Sequence, residues 1–459
     1  MADLPHFERK MSDAEGLMWR LEKDPYLSST FANVTILDRS PDFDILLRRM
    51  ELATYRMRRL RQRVQSVPAN LSAPMWVDDP NFDLRYHVRH IALPKPGTMR
   101  QLLDLASLIA CDPYDRTRPL WQFVVIDGLR GGKSAVVQKL HHTIVDGEGA
   151  VLFSMQFLDL QREVPEPPPL DPSAFEHEAA DAPEHDLWRE LLSGGMRMPL
   201  GVLRQVKDLL ADPTGIHEAG SAAADTVRGV MQQLSDTEGA RSPLWTQRSL
   251  QRRMEVLRAP FDATRDAAKR LGGTLNTAFL AAAAQAAGEY HRRLGSPVDE
   301  LRASMVISTR TEQSGANAFS LARVLVPTGD MPIGERFATI QAATSAARSA
   351  TTNGSMDTLA ALASTLPTSL ITRLARQQAQ TVDFATSNVR GTSLPLYMAG
   401  AKMLENYPVG PLGGVAFNLT LLSYDHSLDM GVNIDAAAVT DPELLRQCLA
   451  RAFKALAAA

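Results

Sequence analysis

Two hydrophobic periods alternate along this chain. Apolar, β-branched blocks at 31–37, 122–126, 134–140, 252–258, 301–308, 384–389, 402–409, 415–423 and 428–434 have the length and content of buried strands. A 3.6-residue period governs other stretches. Across 42–64 the residues Phe43, Leu46, Leu47, Met50, Met57, Leu60 and Val64 share one helical face. Helices are also predicted over 98–110, over 261–271 with a stop at Gly272-Gly273, over an alanine-rich segment running to Arg293, over 334–351, over 356–380 with a break at Pro367, and from Pro442. Near the start, Ser12-Asp13-Ala14-Glu15 opens a helix, and 86–93 reads as a strand. Gly128 and the Gly131-Gly132 pair turn the 122–126 strand back into 134–140, after which 149–160 reads as a short apolar helix.

Composition divides this pattern into three parts. From Val164 to His185 it shifts to Pro, Glu, Asp, Ala and His, with Pro165, Pro167, Pro168, Pro169 and Pro172 blocking regular structure. A linker with surface helices near 188–192 and 201–210 is therefore expected over 161–240, between subdomains at 1–160 and 241–459. A chain of 459 residues with 45% hydrophobic content is too long for one ordinary core, which agrees with two.

The formal net charge of −3 argues against a nucleic-acid partner. Arginines at 48, 49, 56, 58, 59, 61 and 63 line the far side of the 42–64 helix; they read either as a solvated face or as an attraction for anionic lipid or coenzyme A phosphates. Two cysteines, Cys111 and Cys448, have no metal-like spacing, read as core fillers and fit a reducing cytoplasm. The first ten residues are too charged for a signal peptide, and the apolar run 277–288 falls short of the ~20 residues that span a bilayer. Membrane contact, on a membrane's inner face or on lipid inclusions, is expected to be peripheral.

The chemistry concentrates in His141-His142-Thr143-Ile144-Val145-Asp146-Gly147, at the end of the 134–140 strand. Side chains alternate across a strand, so the two imidazoles point to opposite faces and do not converge on one metal ion. One can be aimed into a cleft as a general base while its neighbour packs behind. Asp146 then braces the loop and Gly147 permits the turn. The alternative is a pair of core histidines that only satisfy local hydrogen bonds.

The pattern His-His-x-x-x-Asp-Gly after an apolar strand resembles the active-site motif of the coenzyme A-dependent acyltransferase superfamily. The stretch from Trp76 to Gly147, with Pro119-Leu120-Trp121, most resembles the bacterial wax ester synthase/diacylglycerol acyltransferase family. That resemblance implies an α/β fold of two chloramphenicol-acetyltransferase-like subdomains, each a mixed sheet flanked by helices, with the active site in a tunnel between them. It implies that His142 is the base, that Asn276 stabilises an oxyanion or merely caps its helix, and that Asp146 pairs with Arg310. Trp121 reads as a core anchor supporting the site. Ser387, Asn388 and Gly391 stand where the family binds substrate; Arg390 replaces a family proline there, and Thr277 replaces a family aspartate. The implied reaction moves a long-chain acyl group from acyl-coenzyme A to a fatty alcohol or diacylglycerol. There is no Gly-x-Ser-x-Gly elbow for a serine route, and no Walker or dinucleotide loop, so coenzyme A is a substrate and no cofactor is expected. Two alternatives stay open: an acyltransferase for a specialised alcohol or amine, and a catalytically weak lipid-binding protein on the same fold.

Overall fold

A computed structural model describes residues 9–66, 73–145, 147–163, 167, 170, 241–308, 319–351 and 368–459. Most of the expected linker, Asp146, Arg310 and the 356–367 part of one expected helix lie outside the described residues. In chain order the first half contains α1 (Asp13–Leu21), β1 (Thr30–Leu37), α2 (Phe43–Arg56), β2 (Gln62–Gln65), β3 (Met75–Asp78), α3 (Leu84–His87), β4 (Val88–Ala92), α4 (Met99–Cys111), β5 (Trp121–Leu129), β6 (Lys133–His141), α5 (Gly147–Ser154) and β7 (Leu158–Asp159). The second half contains β8 (Arg252–Pro260), α6 (Phe261–Arg270), α7 (Leu275–Arg293), β9 (Glu300–Ser308), β10 (Phe319–Pro327), α8 (Ile333–Thr351), α9 (Thr368–Ala379), β11 (Phe384–Thr392), β12 (Tyr397–Met398), β13 (Ala401–Val409), β14 (Phe417–Tyr424), β15 (Ser427–Asp435) and α10 (Pro442–Ala458).

The strands form two large mixed sheets and one small antiparallel pair. One large sheet runs β4-β5-β6-β1-β13-β12-β7, the other β10-β9-β11-β14-β15-β8. The first takes β12 and β13 from the second half, so residues from both sides of 241 share one sheet. β1 pairs with β6 on one side and accepts β13 on the other, with Val34 opposite Tyr407. Local alternation makes 401–409 a strand but carries no information about which open edge it will fill. The same strand meets the other sheet closely. A Cβ on Gly431 of β15 would lie 2.1 Å from the Pro408 carbonyl oxygen of β13, so only glycine fits where the sheets cross.

Three large hydrophobic clusters, and a small one of Val382, Leu412 and Val415, are found among the described residues. One packs α7 and α10 against the six-stranded sheet. A second fills one face of the seven-stranded sheet with Val136, Leu140, Phe153 and Phe157, and the third packs α4 on its other face through Leu102, Leu103, Ala106 and Ile109.

Several local expectations need revision. The helix expected across 42–64 ends at Arg56, and 62–65 turns into a strand paired with β3. Of its arginines, Arg48 and Arg56 are exposed, as a solvated face requires, while four others are engaged within the fold. Arg49 is buried against Asp159, Arg58 pairs with Asp78 at 2.6 Å, Arg59 is buried over the Trp76 ring, and Arg61 lies over Tyr55 and Phe82. The strand expected from Tyr86 starts at Val88, because Asp83 caps one helical turn over 84–87. The helix expected at 149–160 stops at Ser154, and Leu158-Asp159 pairs with β12 instead. Cys448 is buried, but Cys111 is exposed at the end of α4.

Candidate active site

β6 ends at His141, opposite Thr30 of β1. The two histidines part company there. His141 is fully buried, and its Nδ1 accepts the Thr143 backbone N–H at 3.2 Å and lies 2.7 Å from the Thr143 hydroxyl. A ring nitrogen that accepts an amide hydrogen carries a lone pair, so the proton belongs on Nε2. Nε2 donates to Glu22 Oε2 at 3.0 Å.

Glu22, the C-cap residue of α1, also accepts the Ser28 hydroxyl at 2.7 Å and the Ser29 N–H at 2.8 Å. Burial alone pushes its carboxyl up, but the hydrogen bond from His141, with the Ser28 and Ser29 bonds, outweighs burial and holds it below its ordinary value. Glu22 is therefore ionised at neutral pH. Around His141 the polar shell continues. Tyr114 meets its ring edge-on at 6.2 Å, and burial raises the phenol well above its usual range. The Lys139 Nζ lies 4.3 Å from the Tyr114 ring centre and donates to the Asp112 carbonyl at the end of α4, with its pKa pulled down by burial to about 8.

His142 faces the other way. Its backbone N–H donates to the Ser29 carbonyl at 3.2 Å, its ring lies 4.6 Å from that of Phe31, and it is partly exposed. A half-open imidazole beside a buried, tautomer-fixed neighbour is the geometry a general base needs. Ile144 and Val145 anchor the loop in the cluster that also holds Met403, Leu422 and Tyr424 from the second half. The helix after the loop, α5, packs on β11.

β11, the strand on which α5 packs, carries Ser387, Asn388 and Gly391. Asn388 and Arg390 are exposed. A Cβ on Gly391 would lie 2.1 Å from the Ser423 carbonyl oxygen, which excludes any other residue from that position. Trp121 is buried; its indole N–H donates to the Leu60 carbonyl at 2.8 Å and its ring stacks on His87 at 4.5 Å. It anchors the sheet behind the site.

Asn276 lies in the first turn of α7. Thr274 is the N-cap of α7, accepting the Thr277 N–H at 3.2 Å, and Asn276 stands two residues further on in a helix that packs against α8 and α10. The capping role weighed for Asn276 therefore belongs to Thr274. Thr277 is buried with its hydroxyl on Gln341 of α8. The expected Asp146–Arg310 pair lies outside the described residues; of Gly147, the backbone opens α5.

Two clefts of about 480 and 640 Å³ are present, the first lined by Asp42, Arg49, Arg162 and Gly400, the second by Lys23, Asp24, Arg373 and Arg376. His142 lines neither. Among the described residues no cluster of three or more His, Cys, Asp or Glu is placed to hold a metal ion, and no helix is long and apolar enough to cross a membrane. Reading by sequence passed over Glu22, Thr143 and Phe31. A lone glutamate ending a helix, followed by Ser28-Ser29, was the available signal.

Comparison with known proteins places the whole chain. The wax ester synthase/diacylglycerol acyltransferase catalytic domain matches residues 11–279, and the C-terminal domain of the same family matches 315–457. A putative diacylglycerol O-acyltransferase of Mycobacterium tuberculosis is 31% identical over 465 residues, covering 98% of this chain and 92% of that protein. A second from the same organism is 30% identical over 480 residues, covering 98% of each. The fold is shared with the wax ester synthase/diacylglycerol acyltransferase from Marinobacter aquaeolei VT8, at a TM-score of 0.64 and 23% identity over 97% of this chain and 98% of that one. It is shared too with the first condensation domain of the calcium-dependent antibiotic synthetase, at 0.59 and 14% over 99% and 98%. The α/β architecture of two mixed sheets flanked by helices is thus the one the sequence resemblance implied, and the chain belongs to the wax ester synthase/diacylglycerol acyltransferase family.

Proposed function

We propose that this protein transfers a long-chain acyl group from acyl-coenzyme A to the hydroxyl of a fatty alcohol or diacylglycerol, giving a wax ester or a triacylglycerol, with His142 as general base. The observation that supports it most is the division of labour at the strand end, where His141 is buried and bonded on both nitrogens while the His142 ring is partly exposed. His142 takes the proton of the acceptor hydroxyl as that oxygen attacks the thioester carbonyl. When the tetrahedral intermediate collapses, the carbon–sulfur bond breaks and the imidazolium returns the proton to the thiolate. No covalent acyl-enzyme is required, and coenzyme A passes through as substrate, not as a resident cofactor. Ser387, Asn388 and Gly391, on the strand that α5 packs against, are the positions we assign to substrate binding.

The acceptors are membrane or inclusion lipids, so we place the protein peripherally on such a surface, inside the cell. Incubating purified protein with a long-chain acyl-coenzyme A and, separately, a fatty alcohol and a diacylglycerol tests the reading. Thiol release matched by ester formation is expected with at least one acceptor, and its loss in His142→Ala. Thiol release with neither acceptor overturns the assigned acceptors.

A further inference from the structure

Glu22 reaches both elements that hold His142. Its Oε2 accepts the Ser29 N–H at 2.8 Å and the His141 Nε2–H at 3.0 Å, while Oε1 accepts the Ser28 hydroxyl at 2.7 Å. Ser29 in turn gives its carbonyl to the His142 N–H at 3.2 Å. One carboxylate thus fixes the imidazole that precedes the base and the residue that holds the base's own backbone. We propose that Glu22 is a positioning residue for acyl transfer, setting the height and direction of His142 through His141 and Ser29.

This inference rests on His142 being the base. The physical reason begins at His141, which is fully buried and whose Nε2–H has Glu22 as its partner. Without that acceptor the ring must rotate or exchange tautomers to satisfy its donor. Either change withdraws Nδ1 from the Thr143 amide, two residues along the loop that carries His142. The Ser29 amide loses its acceptor in the same step, which loosens β1 where Thr30 pairs with His141. Bonds to an ionised acceptor are the stronger kind, so this end of the sheet is fixed by charge as well as by the ladder. Asp24, two residues beyond Glu22, is paired with Arg376 of α9, which ties the same turn to the second half of the chain. A base displaced by a fraction of an ångström still leaves substrate binding intact, so the loss belongs in kcat and not in KM.

Steady-state kinetics with acyl-coenzyme A and the active acceptor test it on Glu22→Ala, Glu22→Asp, Glu22→Gln, His141→Ala and the Glu22→Ala/His141→Ala double variant. Glu22→Ala is expected to lower kcat about 30-fold with KM for acyl-coenzyme A within about twofold. Glu22→Asp keeps the charge but falls short of His141, and should lose about 10-fold in kcat. Glu22→Gln keeps an acceptor for His141 and Ser29 and should stay within about threefold of the parent. The double variant should be no slower than the worse single variant, because both break one chain of contacts. Normal kcat in Glu22→Ala or Glu22→Asp overturns the proposal, as does a double variant whose loss is the product of the singles. If Glu22→Ala does not fold, the Asp and Gln variants decide between reach and charge. Near-parent turnover in His142→Ala removes the base itself and overturns both readings, whereas an inactive His142→Ala beside normal Glu22 variants overturns only this one.

Discussion

The two large sheets differ in how their helical faces are covered. Over the six-stranded sheet lie α7, of 19 residues, and α10, of 17. The alanines of α7 at 278, 281, 282, 283, 284, 286 and 287 are all buried there, letting the helix approach the strands closely. The seven-stranded sheet has α4, of 13 residues. At a rise of about 1.5 Å per residue α4 extends roughly 20 Å against roughly 28 Å for α7, and it stops at Cys111 while β6 runs on. The β6 residues beyond Val137 on that face are Lys139 and His141, which meet Asp112, Tyr114 and Glu22 instead of a helix. The His141 end of β6 therefore lies where apolar cover gives out and polar partners are available to satisfy what is left.

If the uncovered end is where the chemistry lies, the largest effect comes from the base. His142→Ala is expected to reduce acyl transfer by about 10³-fold, near the middle of what a positioned acid–base group supplies. Because His142 is partly exposed, the variant should melt close to the parent, and turnover near the parental rate would assign the base elsewhere. The well-covered region breaks differently. Gly431→Val drives a side chain into the Pro408 carbonyl where β15 crosses β13, and should cost above about 3 kcal/mol in urea unfolding. A neutral result there would mean that the sheets separate easily.

His87 sharpens the contrast from within the first sheet's core. Burial lowers its pKa to about 4, below the ordinary 6.5, although its Nδ1–H donates to the Trp121 carbonyl at 2.7 Å. A folded pKa below the unfolded one means that the unfolded chain binds the extra proton. This contribution is whole above pH 6.5 and is lost as pH falls towards 4, at roughly 1.4 kcal/mol per pH unit and about 3 kcal/mol in all. His87→Asn should flatten stability between pH 6.5 and 4. An unchanged slope would place the acid sensitivity in the carboxylates.

Much of this was legible in the sequence, for reasons that particular residues show. The helix ending at Arg293 and the strand opening at Arg252 follow from spacing alone, and the histidine pair divides as strand alternation requires. Local pattern fails where the answer depends on distant partners. Arg49 sits beside Leu46, Leu47 and Met50 on α2, yet its burial depends on Asp159, more than a hundred residues away. The strand expected at 402–409 is found at Ala401–Val409, but its sheet is chosen by the open edge of β1. Glu22 looks like a charged helix end until β6 brings His141 to it.

The smallest expected effect tests whether the turn after α1 is held from one side or from two. Asp24 is nearly buried and takes both an ion pair from Arg376 and the Tyr26 N–H at 3.1 Å, whereas Arg376 has a side chain 47% exposed and lies over the Tyr26 ring. Water and salt reach that guanidinium, so the pair is screened and a kcal/mol or so is the most it offers. Arg376→Gln is accordingly expected to cost about 1 kcal/mol in urea unfolding, and the difference should shrink in 1 M salt, where the screening length falls to about 3 Å. Turnover should change by no more than about twofold, because Glu22 still holds His141 and Ser29. That contrast separates two acidic residues only two positions apart, one paired with the second half of the chain and one bonded to His141. A loss of turnover as large as that expected for Glu22→Ala would mean that α9, and not Glu22, sets the position of the turn.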